Sequence, residues 1–141
     1  MTRADIKALD PARTVVVATG NAHKVTEIEA ILAPVMPGVR FVALGELGDF
    51  PDPVEDGETF FDNALIKARA AQAQTGLPMA VADDSGLCVD ALNGAPGVYS
   101  ARYGGPELDD AGRYRLLLEN MRGMLDRKCR FVSAICCVFP D

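Results

Sequence analysis

The sequence is poor in residue types on which several kinds of functional site depend. Its 141 residues include no tryptophan and one histidine, His23. A single histidine excludes a multi-histidine metal centre and argues against a Ser-His-Asp triad. The four cysteines form no CxxC pair and show none of the Cys/His spacings of a zinc site, and three of them lie in one apolar run. We therefore predict buried free thiols rather than metal ligands.

Positive charge and long apolar runs are also scarce. The formal net charge is -6 at pH 7, whereas a general nucleic-acid binder needs a basic face for phosphate contacts. No stretch approaches the roughly 20 apolar residues of a transmembrane helix. The first residues, MTRADIKALD, lack the apolar run of a signal peptide. We expect a cytoplasmic protein that binds neither nucleic-acid polymers nor membranes.

What the chain does have is apolar sequence in strand and helix patterns, because 49% of its residues are hydrophobic. Its length suits one domain, at 13–141, which follows a polar extension at 1–12 that has no assigned role. Helical spacing predicts three helices: one after the loop at 19–24, one after Thr59 and one after Asp109. Apolar runs predict strands at 14–18, 39–44, 79–82, 87–92 and 130–139. This alternation indicates an α/β fold.

The last apolar run, Arg130 to Phe139, is apolar on both faces after Arg130, which predicts a strand in the middle of a sheet. A central strand this near residue 141 leads us to expect that the domain is incomplete as given. The preceding helix is expected to bury a stripe formed by Tyr114, Leu117, Leu118, Met121 and Leu125.

A candidate anion site lies where the first strand meets the first helix. Residues 19–24, TGNAHK, combine a glycine turn, free helical N–H groups and a lysine charge. Their spacing matches neither a Walker loop nor a dinucleotide GxGxxG motif. An ordinary helix entry is the alternative, with His23 as an exposed bystander.

Two adjacent carboxylates, Asp83 and Asp84, lie between apolar runs in MAVADDSGLCVDAL at 79–92. Charges beside a buried strand are costly unless a metal, a cation or a hydrogen-bond donor compensates them. We predict that both carboxylates end a short strand, where open α/β sheets place ligands, and that a hairpin turn follows at Ser85-Gly86. A magnesium and phosphate site and a plain turn both remain open at this point.

Acidic residues also precede the helix with the clearest start signal. Glu55 begins an acidic loop, and Thr59 with Asp62 forms a capping-box pattern. Asn63 and Lys67 are four residues apart and share one helix face. A solvated helix charge is the alternative for Lys67. Further on, the glycine-rich loop at 93–106 is longer than is usual without a function.

Four blocks in this order resemble the inosine triphosphate pyrophosphatases, also called non-canonical purine NTP or dITP/XTP pyrophosphatases. They are TGNAHK at 19–24, EDGETFFDNALIKAR at 55–69, ADDSGLCVDAL at 82–92 and GAPGVYSARYGG at 94–105. The resemblance covers nearly the whole chain. It implies hydrolysis of ITP, dITP and XTP to the monophosphate and pyrophosphate, a nucleotide-pool cleansing role. It also implies a homodimer with an elongated mixed β-sheet flanked by helices and an active-site cleft between two lobes.

The resemblance implies a role for each site residue. The triphosphate would be held by Thr19, Gly20, Asn21, Ala22, His23 and Lys24, with Asn63 and Ser85 as further substrate contacts. Glu55 and Asp84 would bind Mg²⁺, and Asp84 would also accept the proton of the attacking water. Lys67 would neutralise phosphate charge, and Asp83 would support Asp84.

The family's base-contacting motifs, Phe-Gly-Tyr-Asp, a lysine and Ser-His-Arg, are absent from these 141 residues. We therefore expect an incomplete second lobe and assign no residue to base recognition. Two alternatives stay open: a non-catalytic nucleotide-binding or dimerisation remnant, and a metal-dependent phosphatase unrelated to nucleotides. The adjacent pair Asp83-Asp84 does not match the DxDx[TV] spacing of aspartyl-phosphate phosphatases, which disfavours the second.

Overall fold

The computed structural model describes residues 6–19 and 21–140, and its centre is a four-stranded mixed sheet in the order β2-β1-β3-β4. The strands are β1 (Thr14–Val17), β2 (Arg40–Ala43), β3 (Met79–Val89) and β4 (Cys129–Val138). β1 is parallel to both β2 and β3, whereas β4 is antiparallel to β3. The predicted α/β fold with a mixed sheet is confirmed.

The helices are α1 (Ala22–Leu32), α2 (Leu44–Leu47), α3 (Phe60–Thr75) and α4 (Asp110–Asn120), and 3₁₀ helices span Asp90–Leu92 and Gly97–Arg102. Side-chain caps fix the starts of α1, α3 and α4, with Asn21 as the cap of α1. Thr59 and Asp62 form the predicted reciprocal capping box on α3, and Asp109 accepts a hydrogen bond from the Gly112 N–H at the start of α4. These caps satisfy N–H groups that have no partner inside the helix.

The alternation of side chains along β1 divides the core between the two faces of the sheet. Val15 and Val17 pack on the side of α1, in a cluster that includes Val25 and Ile28. Val16 packs on the opposite side, in a cluster that includes residues of α3. Leu9 is buried in this second cluster, so the described part of the predicted extension contributes to the core.

The structure corrects the prediction of a hairpin at 79–92, because β3 runs without a break through Asp83, Asp84 and Ser85. Gly86 is needed for close packing and does not form a turn. A Cβ atom there would clash with the Gly97 carbonyl oxygen and would lie 2.6 Å from Ser100 Oγ. The glycine therefore allows the second 3₁₀ helix to lie directly against β3.

β4 is a strand, as predicted, but it is an edge strand within the described residues, not a central one. Phe131 and Ile135 lie on one face of β4 and are 70% and 49% exposed. The predicted buried stripe of α4 is also wrong: Met121 is buried, whereas Leu125 is 99% exposed and Tyr114 and Leu118 are also exposed. Both errors have one cause: an apolar pattern predicts burial without specifying an element that covers it.

All four cysteines are free, as predicted, but they are not uniformly buried. Cys136 is buried, Cys88 is partly buried, and Cys129 and Cys137 are exposed. Burial raises the pKa of the Cys136 thiol, and the nearby guanidinium of Arg69 acts in the opposite direction. None of the helices in the described ranges is long and apolar enough to cross a membrane.

Candidate active site

The carboxylates of β3 lie just beyond the carboxyl end of β1. The β1–β3 pairing ends at Val17 and Val81, whereas β3 continues to Val89 alongside β4. Asp83 and Asp84 therefore project where the chain leaves β1 for α1. In open α/β sheets, ligands bind at this carboxyl edge.

Asp83 and Asp84 point to opposite faces of the sheet, as neighbouring residues on a strand do. On the face of α1, Lys24 Nζ donates to both carboxylate oxygens of Asp83, at 3.2 Å and 3.0 Å. Asp84 faces the other side, where it shares a cavity with Glu55. The two adjacent carboxylates thus lie in different surroundings, and the contact of Asp83 is with Lys24 on the face opposite to Asp84.

The cavity beside Asp84 has a volume of about 180 Å³ and combines acidic and basic side chains. It is lined by Glu55, Asp84, Ser85, Val98, Ala101 and Arg102. Asp84 Oδ2 is buried and has no hydrogen-bond partner in the described part of the chain. An unpartnered buried carboxylate oxygen is costly, so this atom is suited to a cation or to a proton donor brought by a ligand.

Glu55 is held at this cavity from both sides. Its carboxylate Oε1 lies 3.7 Å from Lys67 Nζ on α3. Its backbone oxygen accepts a hydrogen bond of 3.2 Å from Arg102 Nη2, and the Arg102 guanidinium lies 5.0 Å from the centre of the Tyr99 ring. The sequence pattern predicted a function for the loop at 93–106 but assigned no role to Arg102. Glu55, which Arg102 contacts, is 47 positions away in the chain.

The segment between β1 and α1 has the hydrogen bonds of a helix entry. The Asn21 N–H donates to Thr19 Oγ1 at 3.0 Å, and Asn21 Oδ1 accepts from the His23 N–H at 2.9 Å. Gly20 lies outside the described residues. The side chain of Asn21 already satisfies one of the helical N–H groups that the anion-site prediction uses.

A second cavity, of about 210 Å³, is lined in part by Lys67. Thr19 and Lys67 line it together with the loop at 48–53. Lys67 is thus shared between the predicted phosphate-binding segment and the Glu55 carboxylate.

Comparison with known proteins identifies the family of this chain. The sequence model of the Ham1 family matches residues 15–141. The chain belongs to the Ham1 family.

Ham1-type proteins similar to this chain are longer than it is. A dITP/XTP pyrophosphatase of Leifsonia xyli subsp. xyli is 46% identical over 129 residues, which cover 90% of this chain and 62% of that protein. A dITP/XTP pyrophosphatase of Nocardia farcinica is 50% identical over 129 residues, which cover 89% of this chain and 62% of that protein. The solved Ham1 protein of Staphylococcus aureus aligns with a TM-score of 0.80 at 36% identity, over 92% of this chain and 65% of that one. The chain thus spans less than two thirds of these relatives.

Some of the residues predicted from the Ham1-type motifs come together, and others do not. Glu55, Asp84 and Ser85 line one cavity, and Lys67 joins it to the cavity that Thr19 lines. His23 is exposed. Asn63 is 1% exposed, and its Oδ1 accepts a hydrogen bond of 2.8 Å from the Gly57 N–H, so its side chain faces the acidic loop.

The residues at the first cavity fit the chemistry of Mg²⁺. Magnesium is usually held by one or two carboxylates, with waters and substrate phosphates completing the coordination. Glu55 and Asp84 supply two carboxylates, and Asp84 Oδ2 is unpartnered. Within residues 6–19 and 21–140, no group of three or more His, Cys, Asp or Glu side chains forms a complete protein cage. Water or phosphate oxygens would complete the coordination of a metal that these two carboxylates hold.

Proposed function

We propose that this chain hydrolyses ITP, dITP and XTP to the monophosphate and pyrophosphate, as an enzyme that depends on Mg²⁺ and cleanses the nucleotide pool. The observation that carries the proposal is the buried, unpartnered Asp84 Oδ2 in a cavity that Glu55 also lines. Relatives named dITP/XTP pyrophosphatase, at 46% and 50% identity, support the same reaction. No observation favours the non-catalytic remnant or the unrelated phosphatase.

In this proposal Asp84 is the proton acceptor. A water oxygen attacks the α-phosphorus, its proton passes to an Asp84 carboxylate oxygen, and the bond from the α-phosphorus to the bridging oxygen breaks. Pyrophosphate leaves with that oxygen. Glu55 and Asp84 would hold Mg²⁺, which when bound supplies Lewis-acid stabilisation of the developing phosphate charge.

The cations are assigned to the triphosphate. Lys67 extends from α3 to Glu55, and this ion pair is long enough, at 3.7 Å, to be exchanged for a phosphate oxygen. Lys24 would contact phosphate from α1, and Asp83 would orient Lys24 through its two hydrogen bonds. Residues 19–23, including Gly20, Asn21, Ala22 and His23, would complete the phosphate contacts, and Ser85 would touch the substrate.

Product analysis tests this proposal. The protein is incubated with dITP, XTP, ATP or GTP and Mg²⁺, and pyrophosphate and orthophosphate are measured separately. We expect pyrophosphate, released fastest from dITP and XTP. Orthophosphate as the first product would indicate the unrelated phosphatase, and nucleotide binding without any release would indicate the remnant. Equal rates on all four nucleotides would contradict the proposed selectivity.

We also propose that the chain is cytoplasmic and forms a homodimer, with residues 13–141 as its catalytic domain and a cleft that faces a second lobe. The homodimer and the cleft are implied by the blocks at 19–24, 55–69, 82–92 and 94–105, which resemble the inosine triphosphate pyrophosphatases. Light scattering during size-exclusion chromatography measures the mass in solution, and a monomer at micromolar concentration would contradict the dimer.

A further inference from the structure

The acidic loop that carries Glu55 has no regular secondary structure of its own. Residues 48–57 form neither helix nor strand, so the place of Glu55 depends on side-chain contacts. If Glu55 is a metal ligand, as the proposed function requires, the contacts that hold this loop determine how well the ligand is positioned.

One face of α3 holds the loop at three points. Asn63 Oδ1 accepts from the Gly57 N–H at 2.8 Å, Lys67 Nζ lies 3.7 Å from Glu55 Oε1, and Gln74 Nε2 donates to the Pro51 oxygen at 2.8 Å. Positions 63, 67 and 74 fall within about 40° of one another around a helix of 3.6 residues per turn. The loop therefore runs antiparallel along a single face of α3.

The three contacts are not equivalent. The Lys67–Glu55 pair is partly exposed and long, and it involves charges that a metal or a phosphate would compete for. The Asn63–Gly57 hydrogen bond is short and neutral, and Asn63 is 1% exposed. Of the two contacts that lie near Glu55 on α3, the Asn63 hydrogen bond joins neutral groups, so a charged ligand would not compete for it.

The backbone at Gly57 is fitted closely to α3. A Cβ atom at this position would lie 2.6 Å from Asp62 Cβ and 2.7 Å from Asn63 Oδ1. Any larger residue would push the loop away from the helix. The hydrogen bond and the absence of a side chain at position 57 thus act together.

We propose that Asn63 is a positioning residue, which holds the Gly57 backbone and thereby keeps Glu55 at the cavity that it shares with Asp84. This role replaces a direct contact with substrate. The positioning role of Asn63 rests on the proposed function in one respect, the assignment of Glu55 as a metal ligand.

Mn²⁺ binding, followed by electron paramagnetic resonance of the free ion, tests the positioning role without turnover. We expect Asn63→Leu, which keeps the volume but loses the acceptor, to weaken Mn²⁺ binding about 10-fold or more. Glu55→Gln gives the reference for a lost ligand.

Gln72→Leu is the matched control. Gln72 also lies on α3 and donates a side-chain hydrogen bond of 2.7 Å to a backbone oxygen, but that oxygen belongs to Pro78, away from the acidic loop. The Gln72→Leu variant should therefore have a lower free energy of unfolding and an unchanged Mn²⁺ affinity. Wild-type Mn²⁺ affinity in Asn63→Leu, or weakening equal to that in Gln72→Leu, would overturn the proposal, as would the absence of Mn²⁺ binding by the wild type.

Gly57→Ala tests the same contact from the loop and leaves the helix intact, which keeps the proposal testable if Asn63→Leu does not fold. We expect it to weaken Mn²⁺ binding by a similar factor, and wild-type affinity would overturn the proposal. Weakened Mn²⁺ binding in these variants without any pyrophosphate release by the wild type would sink the proposed function and leave the positioning role intact. Pyrophosphate release by the wild type, together with unaltered Mn²⁺ binding in the variants, would support the proposed function and overturn the positioning role.

Discussion

At the scale of single residues, Asp83 and Asp84 are neighbours with the same side chain but have different surroundings. Lys24 compensates the charge of Asp83 through two hydrogen bonds. Asp84 has a buried oxygen with no partner in the described residues. A compensated carboxylate suits a supporting role, whereas an uncompensated one at a cavity is suited to a ligand or a proton.

Replacing Asp84 by Asn should reduce kcat for dITP about 100-fold or more, because the amide keeps the shape and cannot accept the proton. Asp83→Asn is the matched comparison. It removes the negative charge that pairs with Lys24 but keeps one acceptor oxygen, so Lys24 is held less firmly. We expect the main effect on KM, through weaker phosphate binding. Steady-state kinetics with dITP and Mg²⁺ measure both variants. Full activity in Asp84→Asn would remove this residue from the mechanism.

At the scale of elements, the continuity of β3 decides the form of the site. The strand passes through Asp83 to Gly86 because ten residue pairs join it to β4. This pairing outweighs the local preference of Asp, Ser and Gly for turns. A hairpin at Ser85-Gly86 would have turned the chain back directly after Asp84. The strand instead continues to Val89, and the second 3₁₀ helix, which packs against it, brings Arg102 to Glu55.

Gly86→Ala should separate this 3₁₀ helix from β3, since the new Cβ would meet the Gly97 oxygen and Ser100 Oγ. The hydrogen bond from the Leu87 N–H to Ser100 Oγ, 3.0 Å in length, would be strained as well. We expect a loss of about 1–3 kcal/mol in the free energy of unfolding, as for other overpacked sites. Urea denaturation measures it, and an unchanged midpoint would show that the close approach is not required.

The elements that sequence reasoning predicted correctly carry local signals. Thr59 and Asp62 specify the start of α3 within four positions, and the β-branched run of β1 specifies a buried strand. The contacts that assemble the site are not local. Arg102 and Glu55 are 47 positions apart, and the opposite orientations of Asp83 and Asp84 follow only once β3 is known to be continuous. Pairing between distant segments leaves no periodic pattern in the sequence.

At the scale of the whole molecule, the sites lie along one edge of the sheet in a chain of net charge -6. Attraction for a triphosphate must therefore be local, through cations such as Lys24 and Lys67, because the overall field repels anions. The chain spans 62% of the Leifsonia xyli relative and 65% of the solved Staphylococcus aureus protein.

The position of attack tests the central claim most directly. The protein is allowed to hydrolyse dITP with Mg²⁺ in water enriched in ¹⁸O, and the products are separated and weighed by mass spectrometry. Attack at the α-phosphorus, with Asp84 as the proton acceptor, predicts one ¹⁸O atom in the monophosphate and none in the pyrophosphate. Label in pyrophosphate or in orthophosphate, with an unlabelled nucleotide, would contradict the account.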